Sequence, residues 1–153
     1  MLISLDDPHA PDVSALLDAH LADMHAESPP ESVHALPHGA LAAPDVAFWT
    51  ARADGRLLGC GALKALARAE GEVKSMRTSP DARGRGVASA VLARILDEAA
   101  RRGYSRVLLE TGTQDYFAPA RRLYLRHGFV ECGPFAAYQP DPLSAFMALD
   151  LRR

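Results

Sequence analysis

The chain has 153 residues and a mass of 16.4 kDa, the size of one domain, since a second would leave each with too little interior. Hydrophobic residues make up 48% and charged residues 24%, which excludes a disordered or fibrous chain. A formal net charge of −2, from 17 basic and 19 acidic residues, supplies no overall field to draw the chain onto nucleic acid or anionic lipid. Apolar runs such as Ala40–Ala43 fall far short of a membrane span, and Met1 to Asp7 lacks the basic region of a secretory signal. Cys60 and Cys132 lie far apart without a CxxC partner, which argues against a disulfide scaffold or a zinc cluster. A reducing, cytoplasmic setting is the expectation.

Leu2 to Leu5 reads as a short strand, and Asp12 to Glu27 carries Val13, Leu16, Leu17, Leu21 and Met24 at helical spacing. Pro29 and Pro30 break that helix, and Glu31 to Leu36 adds one further turn before Pro37-His38-Gly39 ends it. Val46 to Ala53 and Arg56 to Leu66 are strands joined by the hairpin signal Asp54-Gly55. A turn at Ala69 to Gly71 leads into a strand over Glu72 to Thr78, which completes an antiparallel meander. After Pro80 the glycine-rich run Arg83-Gly84-Arg85-Gly86 enters an amphipathic helix with Val87, Val91, Leu92, Ile95, Leu96 and Ala99 on one face. That helix ends at Arg101-Arg102-Gly103, and the β-rich run Arg106 to Thr111 follows. Strand, loop, helix and strand in this order make a βαβ crossover, so Glu72–Thr78 and Arg106–Thr111 should pair in parallel. A helix over Pro119 to His127 stops at Gly128, and late strands lie near Phe129 to Gly133 and Ala145 to Leu151. The fold class is therefore α/β, with a mixed, mostly antiparallel sheet.

A helix amino terminus leaves backbone N–H groups unpaired and carries partial positive charge, which suits a phosphate. Gly84 and Gly86 let the backbone approach an anion, while Arg83 and Arg85 add charge and forked donors. A basic turn that binds nothing would show the same four residues. A Walker loop needs Gly-Lys-Ser/Thr, and a dinucleotide fingerprint needs a third glycine and a later ribose acid, so neither fits.

Two longer stretches carry a resemblance. Gly71 to Ala88, GEVKSMRTSPDARGRGVA, resembles the acetyl-coenzyme A signature of the GNAT superfamily of N-acetyltransferases, with Arg83-x-x-Gly86-x-Ala88 on its Q/R-x-x-G-x-G/A loop. Ala120 to Phe129, ARRLYLRHGF, is similar to that family's A-x-x-L-Y-x-x-x-G-F helix. The resemblance covers residues 45 to 133 best. Within the family, SPPESVHAL, LETG, the Phe135 to Tyr138 stretch and DPLSAFM resemble a bacterial subgroup named for indoleacetic acid acetylation. An indole carboxylic acid has no ordinary amine to acetylate, so that name does not fix the acceptor.

The resemblance implies one GNAT domain over residues 1 to 153, with about four helices and a sheet splayed between its central parallel strands. It puts acetyl-coenzyme A in the gap, as a cosubstrate and without a metal. The pyrophosphate would lie on the amides of Arg85, Gly86, Val87, Ala88 and Ser89, with Arg83 and Gly84 beside it. The pantetheine arm would pair with Met76, Arg77 and Thr78 as an added strand, the Met76 N–H meeting the thioester oxygen. Thr111, Phe117 and Ala120 would complete that wall. Phe117 stands where the family often has an asparagine that binds pantetheine, so apolar packing takes that contact's place.

Tyr124 matches the family's general acid, a phenol protonated at neutral pH and able to give its proton to the leaving sulfur. A core tyrosine with its hydroxyl on a carbonyl is the structural alternative. Glu72, on the same side of an extended strand as Lys74, Met76 and Thr78, is the candidate base. An exposed Glu72–Lys74 pair is its alternative, and Glu110 or an ordered water is the substitute base. Ser28, Glu31, Ser32 and His34 fall where the family builds its acceptor pocket. The remaining histidines, His20 and His25 among them, read as solvated surface, and neither close pair has metal spacing. Both cysteines read as buried thiols without the basic neighbour that a thiolate needs.

The resemblance implies an acetyl-coenzyme A-dependent N-acetyltransferase, and the expectation is that it acts on a small amine by direct attack in a ternary complex. Transfer to a protein lysine or amino terminus, transfer of another acyl group, and a non-catalytic coenzyme A-binding module are the rivals. Nucleic acid is excluded because the arginines scatter without an aromatic stacking platform. Relatives often pair through the late strands, so a homodimer is consistent with the resemblance.

Overall fold

The computed structural model describes residues 1–152. Strands β1 (Leu2–Leu5), β2 (Val46–Ala53), β3 (Arg56–Leu66), β4 (Glu70–Thr78), β5 (Arg106–Gly112), β6 (Val130–Cys132) and β7 (Ser144–Asp150) form one sheet. Its order is β1-β2-β3-β4-β5-β7-β6. Only β4 and β5 pair in parallel; every other neighbour is antiparallel. Among the described residues four α-helices accompany it: α1 (Pro11–Glu27), the single turn α2 (His38–Leu41), α3 (Val87–Arg101) and α4 (Ala118–Arg126). No described helix is long and apolar enough to cross a membrane.

Strand alternation sorts the apolar residues of the meander to two faces. Trp49, Leu63 and Val73 join Val91, Leu92 and Ile95 of α3 in the larger core, whereas Phe48, Cys60 and Ala62 pack on Val13 and Leu17 of α1. Gly61 permits the first contact, because a Cβ there would lie 2.5 Å from the Met76 sulfur and 2.8 Å from Val91. The Asp54-Gly55 hairpin has φ of 52° and 78°, the primed turn that this dipeptide favours.

Between Pro29 and Leu41 the structure departs from the sequence reading. The extra turn is a 3₁₀ turn at Pro30–Ser32, and His38 starts α2 instead of ending a helix. Pro37, with extended φ and ψ, serves as the N-cap of that turn, where a missing N–H costs nothing.

Two backbone features shape the centre of the sheet. The parallel register of β4 and β5 covers only Glu70↔Arg106, Gly71↔Val107 and Glu72↔Leu108, although β4 continues to Thr78 and β5 to Gly112. Beyond Glu72 the strands splay and leave the facing edge of β4 unpaired. Within that stretch Ser75 adopts φ 56°, and the register with β3 jumps from Ala62↔Lys74 to Cys60↔Arg77. Ser75 and Met76 together oppose Gly61, which is a β-bulge. The bulge inverts the alternation, so Met76 joins Val73 under α3 while Glu72 and Lys74 face the other way. Regular alternation, which would put Glu72, Lys74, Met76 and Thr78 on one side, does not hold past Lys74.

Candidate active site

Two connected cavities occupy the splay. The larger, of about 630 Å³, runs along Met76, Arg77 and Thr78 to the start of α3 and the inner side of α4. The smaller, of about 110 Å³, lies toward α1 and is walled by Ser28, Ser32, His34, Lys74, Glu110 and Thr111, among others. His20, Met24, Met76, Phe117, Ala120 and Tyr124 line both and so mark the junction.

At the far end of the larger cavity the start of α3 presents bare backbone and basic side chains. Gly84 and Gly86 both have φ of 77°, and an added Cβ at either would meet nothing within 4 Å. The first α3 bond runs from Ala90 N–H to Gly86 O at 3.0 Å, so the amides of Val87, Ala88 and Ser89 have no partner inside the helix. The Ser89 hydroxyl lies 2.9 Å from Nε2 of His127, which leaves its amide as the group available to a ligand. Arg83, Gly84, Gly86, Val87, Ala88 and Ser89 line the cavity, while Arg85 is exposed beside it. Arg122 and Arg126, one helical turn apart on α4, bring two further cations to the same wall. Sequence reasoning missed both arginines, although their i, i+4 spacing after the Ala118-Pro119 helix start was a usable signal.

At the junction Phe117 packs on bare backbone: a Cβ on Gly112 would lie 2.1 Å from its ring. Tyr124 is buried and stacks edge-to-face on Phe129 at 5.8 Å. Burial, helped by the charge of Glu110, pushes its pKa upward, so the phenol keeps its proton. Its hydroxyl makes no hydrogen bond to a described residue, unlike a core tyrosine satisfied by a carbonyl.

The carboxylates divide differently from the sequence expectation. Glu72 is 3% exposed, lines neither cavity, and is occupied. Its carboxylate accepts the Tyr138 hydroxyl at 2.5 Å and lies 3.3 Å from the Lys74 ammonium. Lys74 in turn donates to the Tyr138 oxygen at 2.8 Å and to His34 O at 3.0 Å, so this ammonium is fully committed. Burial and the adjoining Glu72 charge raise the Tyr138 pKa, which fixes that phenol as a donor. The exposed Glu72–Lys74 pair of the sequence reading is therefore a buried one.

Glu110, by contrast, opens into the smaller cavity. Burial pushes its pKa up to about 7; the Ser144 hydroxyl and Lys74 pull against that, and the Glu72 and Asp141 charges add to it.

Ser28, Ser32 and His34 line the smaller cavity as expected, but Glu31 is exposed and does not. Thr111 lines this cavity and not the larger one. Ser32 donates to Asp141 at 2.6 Å and His34 stacks edge-to-face on Tyr138 at 5.1 Å, which ties residues 28–36 to the β6–β7 loop. His20 corrects the reading of the histidines as solvated surface. It sits at the junction, where burial and the Arg77 charge push its pKa down to about 4 and keep it neutral. Its helical face packs on β4, which the weakly amphipathic pattern of α1 does not reveal. Cys60 is buried and donates to Ser75 O at 3.3 Å, and burial pushes its thiol up to about 12; neither cysteine lines a cavity.

Residues 13–129 match the acetyltransferase (GNAT) family. This chain belongs to the GNAT family. The GNAT chain is 48% identical to the uncharacterised N-acetyltransferase YsnE of Bacillus subtilis, over 99% of its own length and 100% of that relative. It is 46% identical to the IAA acetyltransferase of Azospirillum brasilense, over 86% of this chain and 83% of the other. A solved structure from Klebsiella pneumoniae, named for acyl-CoA N-acyltransferase activity, superposes with a TM-score of 0.81 at 30% identity. That superposition covers 99% of this chain and 97% of the other. The seven-stranded sheet with one splayed parallel pair is the GNAT fold, and the protein is an N-acetyltransferase.

Proposed function

We propose that this enzyme transfers the acetyl group of acetyl-coenzyme A to the amine of a small acceptor by direct attack in a ternary complex. The carrying observation is the meeting of an anion-cradling groove and a small acid-lined cavity at Met76 and Tyr124. The groove fits coenzyme A in three respects: free amides at the α3 start, two glycines in left-handed backbone, and an unpaired β4 edge for the pantetheine amides. Arg83, Arg122 and Arg126 supply charge for its phosphates. Acetyl-coenzyme A brings an activated thioester carbonyl to the junction.

Glu110, and not Glu72, is the base in this reading. A carboxyl with a pKa near 7 is half ionised at working pH, so it accepts the proton of an acceptor ammonium and frees the lone pair for attack. The Met76 N–H steadies the oxygen on which negative charge develops. Tyr124 then gives its phenolic proton to the departing sulfur. A buried, strongly protonated Cys60 outside both cavities speaks for direct attack over an acetyl-cysteine intermediate. The small volume of the second cavity, about 110 Å³, favours a small molecule over a protein lysine. The test is acetyl-coenzyme A with a panel of amines, scoring free thiol and N-acetyl product. Equimolar thiol and product support the reading, and tight binding without thiol release makes the protein a coenzyme A-binding module.

Gly86→Val tests the cradle. A β-branched residue at φ 77° strains the loop by about 1–2 kcal/mol and places a side chain where the backbone is now bare. The strain lowers folding stability, whereas the bulk in the phosphate's path should lower coenzyme A affinity by about tenfold or more, with a cooperative thermal transition retained. Unchanged affinity by calorimetry would remove the loop from the binding site.

Glu72→Gln separates the two carboxylates. The variant leaves the buried Lys74 ammonium without its counter-charge, which costs up to about 3–5 kcal/mol. A lower melting temperature is expected, with the acidic limb of kcat/KM still present near pH 7. Loss of that limb here, and its survival in Glu110→Gln, would return the base to Glu72.

A further inference from the structure

The segment 28–36 supplies Ser28, Ser32, His34 and Ala35 to the wall of the smaller cavity. The buried residue among them is the polar Ser32, and only at Leu36 does the segment reach the apolar core beside α1. A stretch with so little apolar burial is placed by its polar ties. Gln114, just after β5, donates to Glu27 O at 3.0 Å and to the Ser28 hydroxyl at 2.9 Å. Ser32 donates to Asp141 of the β6–β7 loop at 2.6 Å. His34 O accepts the Lys74 ammonium at 3.0 Å, and the His34 ring stands edge-on to Tyr138. The helix that leads into the segment is itself pinned, because Asp23 of α1 pairs with Arg77 of β4 at 2.7 Å.

These ties converge on Tyr138. Its hydroxyl donates to Glu72 at 2.5 Å and accepts from Lys74 at 2.8 Å. Its ring packs on Phe135 and Phe146 as well as on His34, at 5.0, 5.5 and 5.1 Å. Glu72 and Lys74 belong to β4, Tyr138 to the β6–β7 loop and His34 to the segment, so one hydroxyl joins three parts of the chain in a single buried network. Tyr138 lines neither cavity and acts through these neighbours. The loop it anchors also places Leu143 in the wall of the smaller cavity, opposite ends of the same clamp therefore facing one space.

We propose that Tyr138 is a positioning residue that sets the width of the acceptor cavity, by clamping residues 28–36 and the β6–β7 loop to the Glu72–Lys74 pair of β4. The clamp keeps the cavity near its volume of about 110 Å³ and so selects acceptor amines by length. This inference rests on the acetyl-transfer reading above.

Tyr138→Phe removes the hydroxyl and leaves the ring packing and the Glu72–Lys74 ion pair in place. Hydrogen exchange on the free protein reads the clamp without turnover. In the variant the Ser32 and Val33 amides, which donate to Pro29 O and Pro30 O, should exchange about tenfold faster or more, with the amides of β3 and α3 unchanged. Turnover of n-alkylamines of increasing length, at saturating acetyl-coenzyme A, reads the width. Wild-type kcat/KM should drop by about tenfold or more at the length that the cavity no longer admits. Tyr138→Phe should flatten that step to about threefold or less and raise the KM of the shorter amines, with coenzyme A affinity within about twofold. Ser32→Ala cuts the tie to Asp141 and should loosen the same amides and flatten the same step, so it carries both measurements if Tyr138→Phe does not fold. Unchanged exchange in residues 28–36, or exchange that rises evenly over the sheet, would overturn the inference. A length step retained in full by the variant would overturn it and leave acetyl transfer intact. Faster exchange in the segment with no thiol released from any amine, even by the wild-type protein, would sink the acetyl-transfer reading and the selection of acceptors with it.

Discussion

Glu110→Gln should lower kcat/KM by roughly 10²–10⁴ while coenzyme A binding stays within a factor of two. The substitution keeps the shape of the side chain and removes its capacity to take a proton. With a carboxyl pKa of about 7, wild-type kcat/KM should rise with pH through neutrality and level off above it. The variant should show no such limb. Stability supplies a second, opposite signature. The folded-state pKa lies above the usual 4.5, so between about pH 4.5 and 7 the folded protein holds a proton that the unfolded chain has lost. Folding stability therefore falls as pH rises through that window, and the full deficit, roughly 2–4 kcal/mol, persists above it. Glu110→Gln removes the deficit, so the variant should melt higher than wild type at pH 8 and hardly differ at pH 4. A less active but more stable protein is the pattern of a strained catalytic group. A variant that is inactive and also unstable at pH 8 would mark Glu110 as a structural residue.

Tyr124→Phe should cut kcat by roughly 10²-fold or more, with acetyl-coenzyme A affinity nearly unchanged. The ring continues to pack on Phe129, and the hydroxyl that disappears bonds to none of the described residues. What is lost is the proton for the departing sulfur. An acyl donor with a more acidic thiol needs that proton less, so the defect should shrink as the leaving-group pKa falls. Parallel plots of rate against leaving-group pKa for the two proteins would remove Tyr124 from the mechanism.

Local signals made much of the fold legible. Asp54-Gly55 announced its hairpin, and the glycines of the RGRG run adopt the positive φ that their residue type allows. The 3.6-residue spacing of Val91, Leu92, Ile95 and Ala99 located α3 and the crossover that produces the parallel pair. The bulge was not legible, because Ser75 takes a left-handed backbone without the glycine or asparagine that would advertise it. That one residue turns Met76 toward α3 and Arg77 toward α1, so every side assignment beyond it failed. The role of Glu72 was hidden for a different reason. Its partner Tyr138 is 66 positions away, in a loop whose path over the cavity depends on β7 inserting between β5 and β6. His20 likewise acquires its environment from packing, since an isolated histidine on a weakly amphipathic helix carries no mark of burial.

Direct attack at the junction of the two cavities is the central claim, and initial-rate kinetics test it most directly. With the fastest amine from the panel, rates measured across a grid of acetyl-coenzyme A and amine concentrations should give intersecting double-reciprocal lines. That pattern requires both substrates to be bound before coenzyme A leaves. Parallel lines, together with a stoichiometric burst of thiol in the absence of amine, would mean that the acetyl group rests on the protein first, and would contradict the account.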